Sequence, residues 1–313
     1  MDNFVLFCKT YKGDFERFKI LKESVDKYNK DNLPFYISVP RDDMELFKTI
    51  KHNASYKFTI LTDEDITEVK DKYDGWKSQQ YVKLLFYKLG LCNFYLVLDS
   101  DSYFIRDFYT SDFMYSENVP YIVMHEDKKM SEFYSCVRNL GRKVVKDNDL
   151  EIKNYLKRYG KRYSYFSNPV LSVKVLSELE KNVDKIENLI KKVPLEYVWH
   201  GEYLLKSRCI DFMPCESFFK TFFFEQEYQL WRSLGETEDD IKKFYVGIVM
   251  QDRWVKSEKF KPSFFYKIKR RISIIKFYIN TDRVHLKKSK SAWTYYRNYI
   301  RGLFRVIFKG EIK

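Results

Sequence analysis

The stretch Phe94-Tyr95-Leu96-Val97-Leu98-Asp99-Ser100-Asp101 decides how the chain is read. Five consecutive apolar residues predict a short strand buried on both faces, and the abrupt change to Asp-Ser-Asp predicts where it ends. Upstream, the pattern from Trp76 to Leu89 predicts a helix that closes at Gly90 just before that strand. Further back, Phe4-Val5-Leu6-Phe7 reads as another buried strand. Asp14 then precedes a helical pattern through Phe18, Leu21, Val25 and Tyr28. Strands are expected over Phe35 to Val39 and Tyr56 to Leu61, with a helix between them over Asp42 to Ile50. Downstream, Tyr121 to Met124 predicts a strand, and Val175 to Val193 and Glu196 to Lys206 predict helices. The apolar run Val246 to Met250 predicts a strand returning to the sheet. Strands alternating with helices predict an α/β fold, with a mostly parallel sheet flanked by helices. Such sheets bind ligands outside the C-terminal ends of their strands. Thr10, Asp63 and Asp99 each follow a predicted strand, so they are expected to share one cleft.

Composition sets the limits. The chain has 313 residues, 45% hydrophobic and 19% aromatic, enough for a sizeable core and against disorder. Five cysteines, Cys8, Cys92, Cys136, Cys209 and Cys215, form no Cys-x-x-Cys pair and no zinc spacing. Met1-Asp2-Asn3 runs straight into a short apolar stretch, which predicts no secretory signal. Together these predict a reducing, cytoplasmic compartment. No run approaches the roughly 18 apolar residues of a spanning helix. The net charge of +13 is uneven. Residues 256–313 hold 17 Lys and Arg against Glu258, Asp282 and Glu311, a net of +14 that leaves −1 on residues 1–255. The expected organisation is a catalytic body over 1–255 and a basic, aromatic helical extension over 256–313.

Asp99 and Asp101 are the strongest candidates for chemistry. Two carboxylates one residue apart at a strand end suit a hard cation such as Mg²⁺ or Mn²⁺, which takes its remaining oxygens from water and substrate phosphates. The plain alternative is a solvated turn. A rival reading, a haloacid-dehalogenase-type phosphatase, needs Thr or Val two residues after the second Asp; Tyr103 stands there. On the helix before the strand, Gln80 and Lys83 fall in the apolar stripe Trp76, Gln80, Lys83, Tyr87. Conditional on the fold, Lys83 is expected to approach a diphosphate and Gln80 to bond hydroxyls of the ligand, unless Lys83 snorkels to solvent. Thr10 and Tyr11 suit a nucleobase, with the Tyr ring as stacking face. Asp63 suits a base or ribose hydrogen bond, with capping in Thr62-Asp63-Glu64-Asp65 as the competing reading.

The order of strand, Thr10-Tyr11 loop, Asp63 loop, helix and then Leu98-Asp99-Ser100-Asp101 resembles a GT-A glycosyltransferase. Gly75-Trp76-Lys77-Ser78-Gln79-Gln80-Tyr81-Val82-Lys83-Leu84 resembles the segment before the D-x-D of bacterial surface-polysaccharide transferases. Glu196-Tyr197 and Gly201-Glu202-Tyr203 resemble their acceptor-side helix. The likeness covers roughly residues 4–252. It implies a GT-A-like, Rossmann-like fold, with a nucleotide-sugar half over about 1–127 and an acceptor half over 128–255. It implies Mn²⁺ or Mg²⁺ as cofactor, a UDP-sugar as the first expected donor, and a glycan or lipid-linked glycan as acceptor. Asp99, Asp101 and Asp252 are then the metal ligands to test, with Ser100 beside the donor. No His follows the returning strand, where GT-A enzymes often place one; His200 and His285 are the distant alternatives. If the reaction inverts the anomeric centre, Glu196 is the favoured general base and Glu202 the second, with Asp211 a further candidate.

In the extension, Trp293, Tyr296, Ile300, Leu303 and Ile307 fit one helical stripe, with Arg297, Arg301 and Arg305 elsewhere around it. That pattern predicts binding to an anionic membrane surface at the inner face of the cell membrane, with no nucleic-acid role. Packing on the body and nucleic-acid binding are the competing readings. For the whole chain, the reading from a different class is a non-enzymatic membrane- or nucleic-acid-binding protein whose D-x-D is structural.

Overall fold

A computed structural model describes residues 1–67, 75–123, 169–183, 196–215, 217–222 and 237–251, with a few single positions between 186 and 235. The chain divides into two compact units, Met1–Phe219 and Lys220–Lys313. The first opens with β1 (Asp2–Lys9), α1 (Phe15–Tyr28), β2 (Phe35–Val39), α2 (Met44–Lys48), β3 (Phe58–Thr62), α3 (Asp63–Ile66), α4 (Gly75–Leu85) and β4 (Cys92–Leu98). It continues with β5 (Ser102–Phe104), β6 (Met114–Ser116), β7 (Val119–Val123), β8 (Val170–Ser172), α5 (Val173–Lys181), α6 (Glu196–Ser207) and β9 (Met213–Cys215).

The main sheet has the order β3-β2-β1-β4-β8. Its first four strands are parallel, with Phe7 opposite both Tyr36 and Val97, and Ile37 opposite Ile60. β8 runs antiparallel to β4, Tyr95 facing Leu171. Helices cover both faces, as alternating side chains show. Phe35 meets Phe18 of α1 at 6.0 Å between ring centroids, while its neighbour Tyr36 meets Phe86 just after α4 at 5.8 Å. Phe18, Leu21 and Val25 line the buried side of α1 at helical spacing. Phe86 lies in a one-turn 3-10 segment that continues α4, stacks on Phe7 at 4.0 Å, and leads to Gly90. Gly90 has φ of +62°, a left-handed helix end that only glycine adopts without strain. The mixed α/β architecture with a parallel-rich sheet is therefore the one that the strand and helix periods predict.

The structure differs from those periods in several places. Asp42 to Ile50 contains a 3-10 turn and then only the short α2. The helix expected over Val175 to Val193 is α5, which stops at Lys181 with Asn182 as its cap. Strands β5, β6, β8 and β9 each have three residues, too few to display a period. Met114–Ser116 pairs antiparallel with β7, and β7 pairs parallel with β9. In the second unit, β10 (Phe219–Phe222), α7 (Glu238–Ile241) and β11 (Gly247–Met250) are described, and the Gln251 N–H donates to the Phe222 carbonyl at 3.1 Å. β11 covers the expected apolar run, but it is not a strand of the main sheet, to which that run was expected to return. The extension over 256–313 lies outside the described residues.

One histidine joins the short edge strand to the helices. His200 on α6 is buried, and its Nε2 accepts the Ser172 backbone N–H at 2.9 Å. A backbone N–H only donates, so the neutral ring carries its proton on Nδ1. Burial pushes the imidazole down to about 3. An unfolded-state His titrates near about 6.5, so its neutral form supports folding above that pH. As pH falls below it, the unfolded chain takes up a proton that the fold refuses, and stability drops by about 1.4 kcal/mol per pH unit from this group. His200→Gln keeps an acceptor and should flatten the stability profile between pH 6.5 and 4, measured by urea unfolding against the parent. His200→Leu leaves the Ser172 N–H unpaired and should cost roughly 1–3 kcal/mol at pH 8.

Candidate active site

The strand order fixes where a site can form. The chain lays β2 and β3 on one side of β1 and then returns to place β4 on the other. The crevice between the C-terminal ends of β1 and β4 is thus the topological switch point, where open α/β sheets bind ligands. Lys9 and Thr10 end one side of it; Asp99, Ser100 and Asp101 begin the other.

The Asp-Ser-Asp turn is closed by Ser102, whose N–H and Oγ–H both donate to the Asp99 carbonyl, at 3.0 and 2.6 Å. The Asp99 side chain is 43% exposed and ion-pairs through Oδ1 with Nζ of Lys83, a side chain only 5% exposed. Lys83 is itself set by Tyr95 of β4, whose hydroxyl donates to the Lys83 carbonyl at 3.0 Å. Ser100 Oγ donates to Asp14 Oδ2 at 3.0 Å, and Arg17 Nη1 donates to the other Asp14 oxygen at 3.5 Å. Asp101 is pushed up to about 8, by burial first and by the Asp99 charge second, with Lys83 and Arg17 pulling the other way. A divalent cation here would offset both the burial cost and the repulsion from Asp99 that raise Asp101. The donor set fits such an ion as a two-carboxylate site completed by water and substrate oxygens. Among the described residues, no group of three Asp, Glu, His or Cys could hold one alone. Asp252 lies outside the described residues.

A second polar cluster ties the other strand ends together. Lys9 Nζ, 3% exposed as a side chain, donates to the Thr10 carbonyl at 2.6 Å and pairs with Asp63 Oδ2 at 3.0 Å. Ser38 Oγ donates to the other Asp63 oxygen. One carboxylate thus bridges β1, β2 and the start of α3. Burial lowers Lys9 and raises Asp63, each partly offset by the other's charge. The capping reading falls on Thr62 instead: its hydroxyl accepts the Asp65 N–H while Asp65 accepts the Thr62 N–H. Asp63 is therefore free of the cap's work and 22% exposed. Thr10 is fully buried, and its hydroxyl has no hydrogen-bond partner among the described residues, while its N–H donates to the Ser38 carbonyl at 2.9 Å. Tyr11 is exposed, and its ring lies over Gly13, where an added Cβ would come within 2.4 Å of it. Asp43 holds this loop by accepting the Lys12 N–H at 2.8 Å. Cys8, buried between the clusters, feels Asp99, Lys83, Asp14 and Lys9 together, and burial pushes its thiol up.

The acceptor-side candidates sit differently. Glu202 is not a surface acid: it is 1% exposed on α6, a helix that packs against α4. Glu196 begins α6, with its side chain outside the described residues, and Asp211 is exposed. Gln80 is buried on α4. His200 spends its Nε2 on β8. The sequence reading missed Lys9, Asp14, Arg17, Ser38 and Asp43. A lysine ending the run Phe4 to Cys8 and a serine within Phe35-Tyr36-Ile37-Ser38-Val39 were the available signals: polar groups where burial demands partners.

The chain belongs to the family DUF6492, a family of unknown function, which matches residues 4–212. No curated protein matches the sequence. Among solved structures, the apo form of mouse xyloside xylosyltransferase 1 is similar at 10% identity and a TM-score of 0.47, covering 80% of this chain and 98% of that one.

Breaking the Lys9–Asp63 pair tests how the edge is held. Lys9→Met leaves a largely buried carboxylate with only Ser38 to satisfy it, and should cost roughly 3 kcal/mol in urea unfolding. Lys9→Met with Asp63→Asn removes both charges and should recover part of that loss.

Proposed function

We propose that this protein is a metal-dependent glycosyltransferase that moves a sugar from a nucleotide-sugar donor to a glycan acceptor. The observation that carries the reading is the Asp99-Ser100-Asp101 turn at the switch point of a parallel sheet, with buried Lys83 on Asp99. Asp99 and Asp101 would hold Mn²⁺ or Mg²⁺, which supplies charge neutralisation to a leaving diphosphate. Lys83 places a second positive charge at the same position. Tyr11, exposed beside the β1 end, offers a ring face to the base, and Asp63 an acceptor to base or ribose. Glu202 or Glu196 would take the acceptor hydroxyl's proton if the reaction inverts.

The expected donor is a UDP-sugar, and the expected acceptor a glycan or lipid-linked glycan of a bacterial capsule or lipopolysaccharide. The charge of residues 256–313 supports a place on an anionic leaflet at the cytoplasmic side. No helix of the described residues is long and apolar enough to cross a membrane.

Turnover of nucleotide sugars in Mn²⁺ or Mg²⁺, with and without chelator, tests the reading. Asp101→Asn should lower transfer by roughly a hundredfold or more while leaving the unfolding midpoint nearly unchanged. Activity that persists in a chelator, or no turnover with any donor, removes the metal-dependent transferase. Anionic vesicles test the location. Each basic residue close to the leaflet contributes about 1 kcal/mol, so binding should weaken but persist as salt rises. Deleting residues 260–313 should abolish it and spare transfer to a short soluble acceptor.

A further inference from the structure

Helix α1 runs beside the Asp-Ser-Asp turn and the segment that follows it, and the chain from Asp14 to Lys30 is bonded to them at three places. At the start, Asp14 Oδ2 accepts from Ser100 Oγ at 3.0 Å. In the middle, Ser24 Oγ accepts the Phe104 N–H at 3.0 Å and its own O–H donates to the Leu21 carbonyl at 2.7 Å. At the end, the Phe108 N–H donates to the Tyr28 carbonyl at 2.9 Å, and the Lys30 N–H to the Phe108 carbonyl at 3.1 Å. Phe104 and Phe108 stack at 3.8 Å between the last two ties. The contact at Ser100 differs from the others because it reaches the turn itself, at the residue between the two candidate ligands. It is a hydrogen bond to a carboxylate, the stronger kind. Arg17, one turn along α1, holds the second oxygen of Asp14 and so fixes how the carboxylate faces Ser100.

We propose that Asp14 is a positioning residue for the candidate metal ligands, holding Ser100 so that Asp99 and Asp101 stay converged on one cation. This rests on the metal reading above. A side chain that accepts from the turn does not need to touch the ion. The partners behind metal ligands usually govern affinity by roughly 10–100-fold. The role belongs to the Asp14–Ser100 bond rather than to negative charge alone, and that sets the test apart from a general acidic effect.

The experiment is Mn²⁺ titration of the full chain without donor, read by the loss of free-ion signal in electron paramagnetic resonance, with thermal unfolding of every variant alongside. Asp14→Ala and Ser100→Ala should each weaken Mn²⁺ binding by roughly tenfold or more. The double variant should be no weaker than the worse single, because the bond they share is already lost in either. Asp14→Asn keeps an acceptor oxygen and should recover most of the affinity. Wild-type binding with unchanged affinity in Asp14→Ala overturns the inference alone. So do additive losses in the double variant, or an Asp14→Asn as weak as Asp14→Ala, which would make Asp14 a charged ligand. Failure of the wild type to bind Mn²⁺ overturns the metal reading and this inference together.

Discussion

A lysine ammonium withdrawn from water needs an anion within reach, and two lysines are withdrawn at the same edge of this sheet. Lys9 ends β1 and Lys83 lies on the helix before β4, with side chains 3% and 5% exposed. Each is paired with an aspartate at another strand end, Lys9 with Asp63 after β3, two strands across from β1, and Lys83 with Asp99 after β4. The aspartates are the open partners, 22% and 43% exposed. The edge therefore carries positive charge beneath and negative charge above. That layering holds the loops in place from below and leaves carboxylate oxygens facing outward. Asp101 is the member pushed upward: burial raises it first and the Asp99 charge second, with Lys83 offsetting only part.

Burial of this kind was only partly readable in the sequence. Long apolar runs and sustained helical spacing identified β1, β2, β4, α1 and α6, because those elements display a full period. β8 did not, since Val170-Leu171-Ser172 passes straight into α5; its place comes from pairing with β4 and from His200, 28 residues away. The Asp-Ser-Asp turn stood out because a strand and two charges are adjacent in the chain. Asp14 did not, because its meaning lies in Ser100, 86 residues on. Beside Phe15 and Phe18 it looks like an ordinary helix-start acid, and its side chain makes no cap bond there. Glu202 shows the opposite error. A helical wheel separates it from Glu196 and His200 and suggests a solvent face, but Trp199 to Leu205 are all buried, so α6 has no polar side along that turn.

The two clusters also differ in what a ligand could change. Asp63 is bonded on both oxygens by groups of the fold, Lys9 and Ser38, and it ties three consecutive strand ends. Moving it would loosen the sheet edge, so it suits a fixed acceptor. Asp99 bonds a lysine on a flexible four-carbon stem, and the neighbouring Asp101 is raised by burial and by the Asp99 charge. An incoming cation would reverse that balance without disturbing the strands, since the turn backbone is closed by Ser102 and its middle residue is tied to α1. The turn is thus rigid in its backbone and unsettled in its charge. Under the proposed transferase reading, that combination would let the site exchange ions and phosphates repeatedly, because the free energy of each exchange would fall on side chains that the sheet does not need for its own stability.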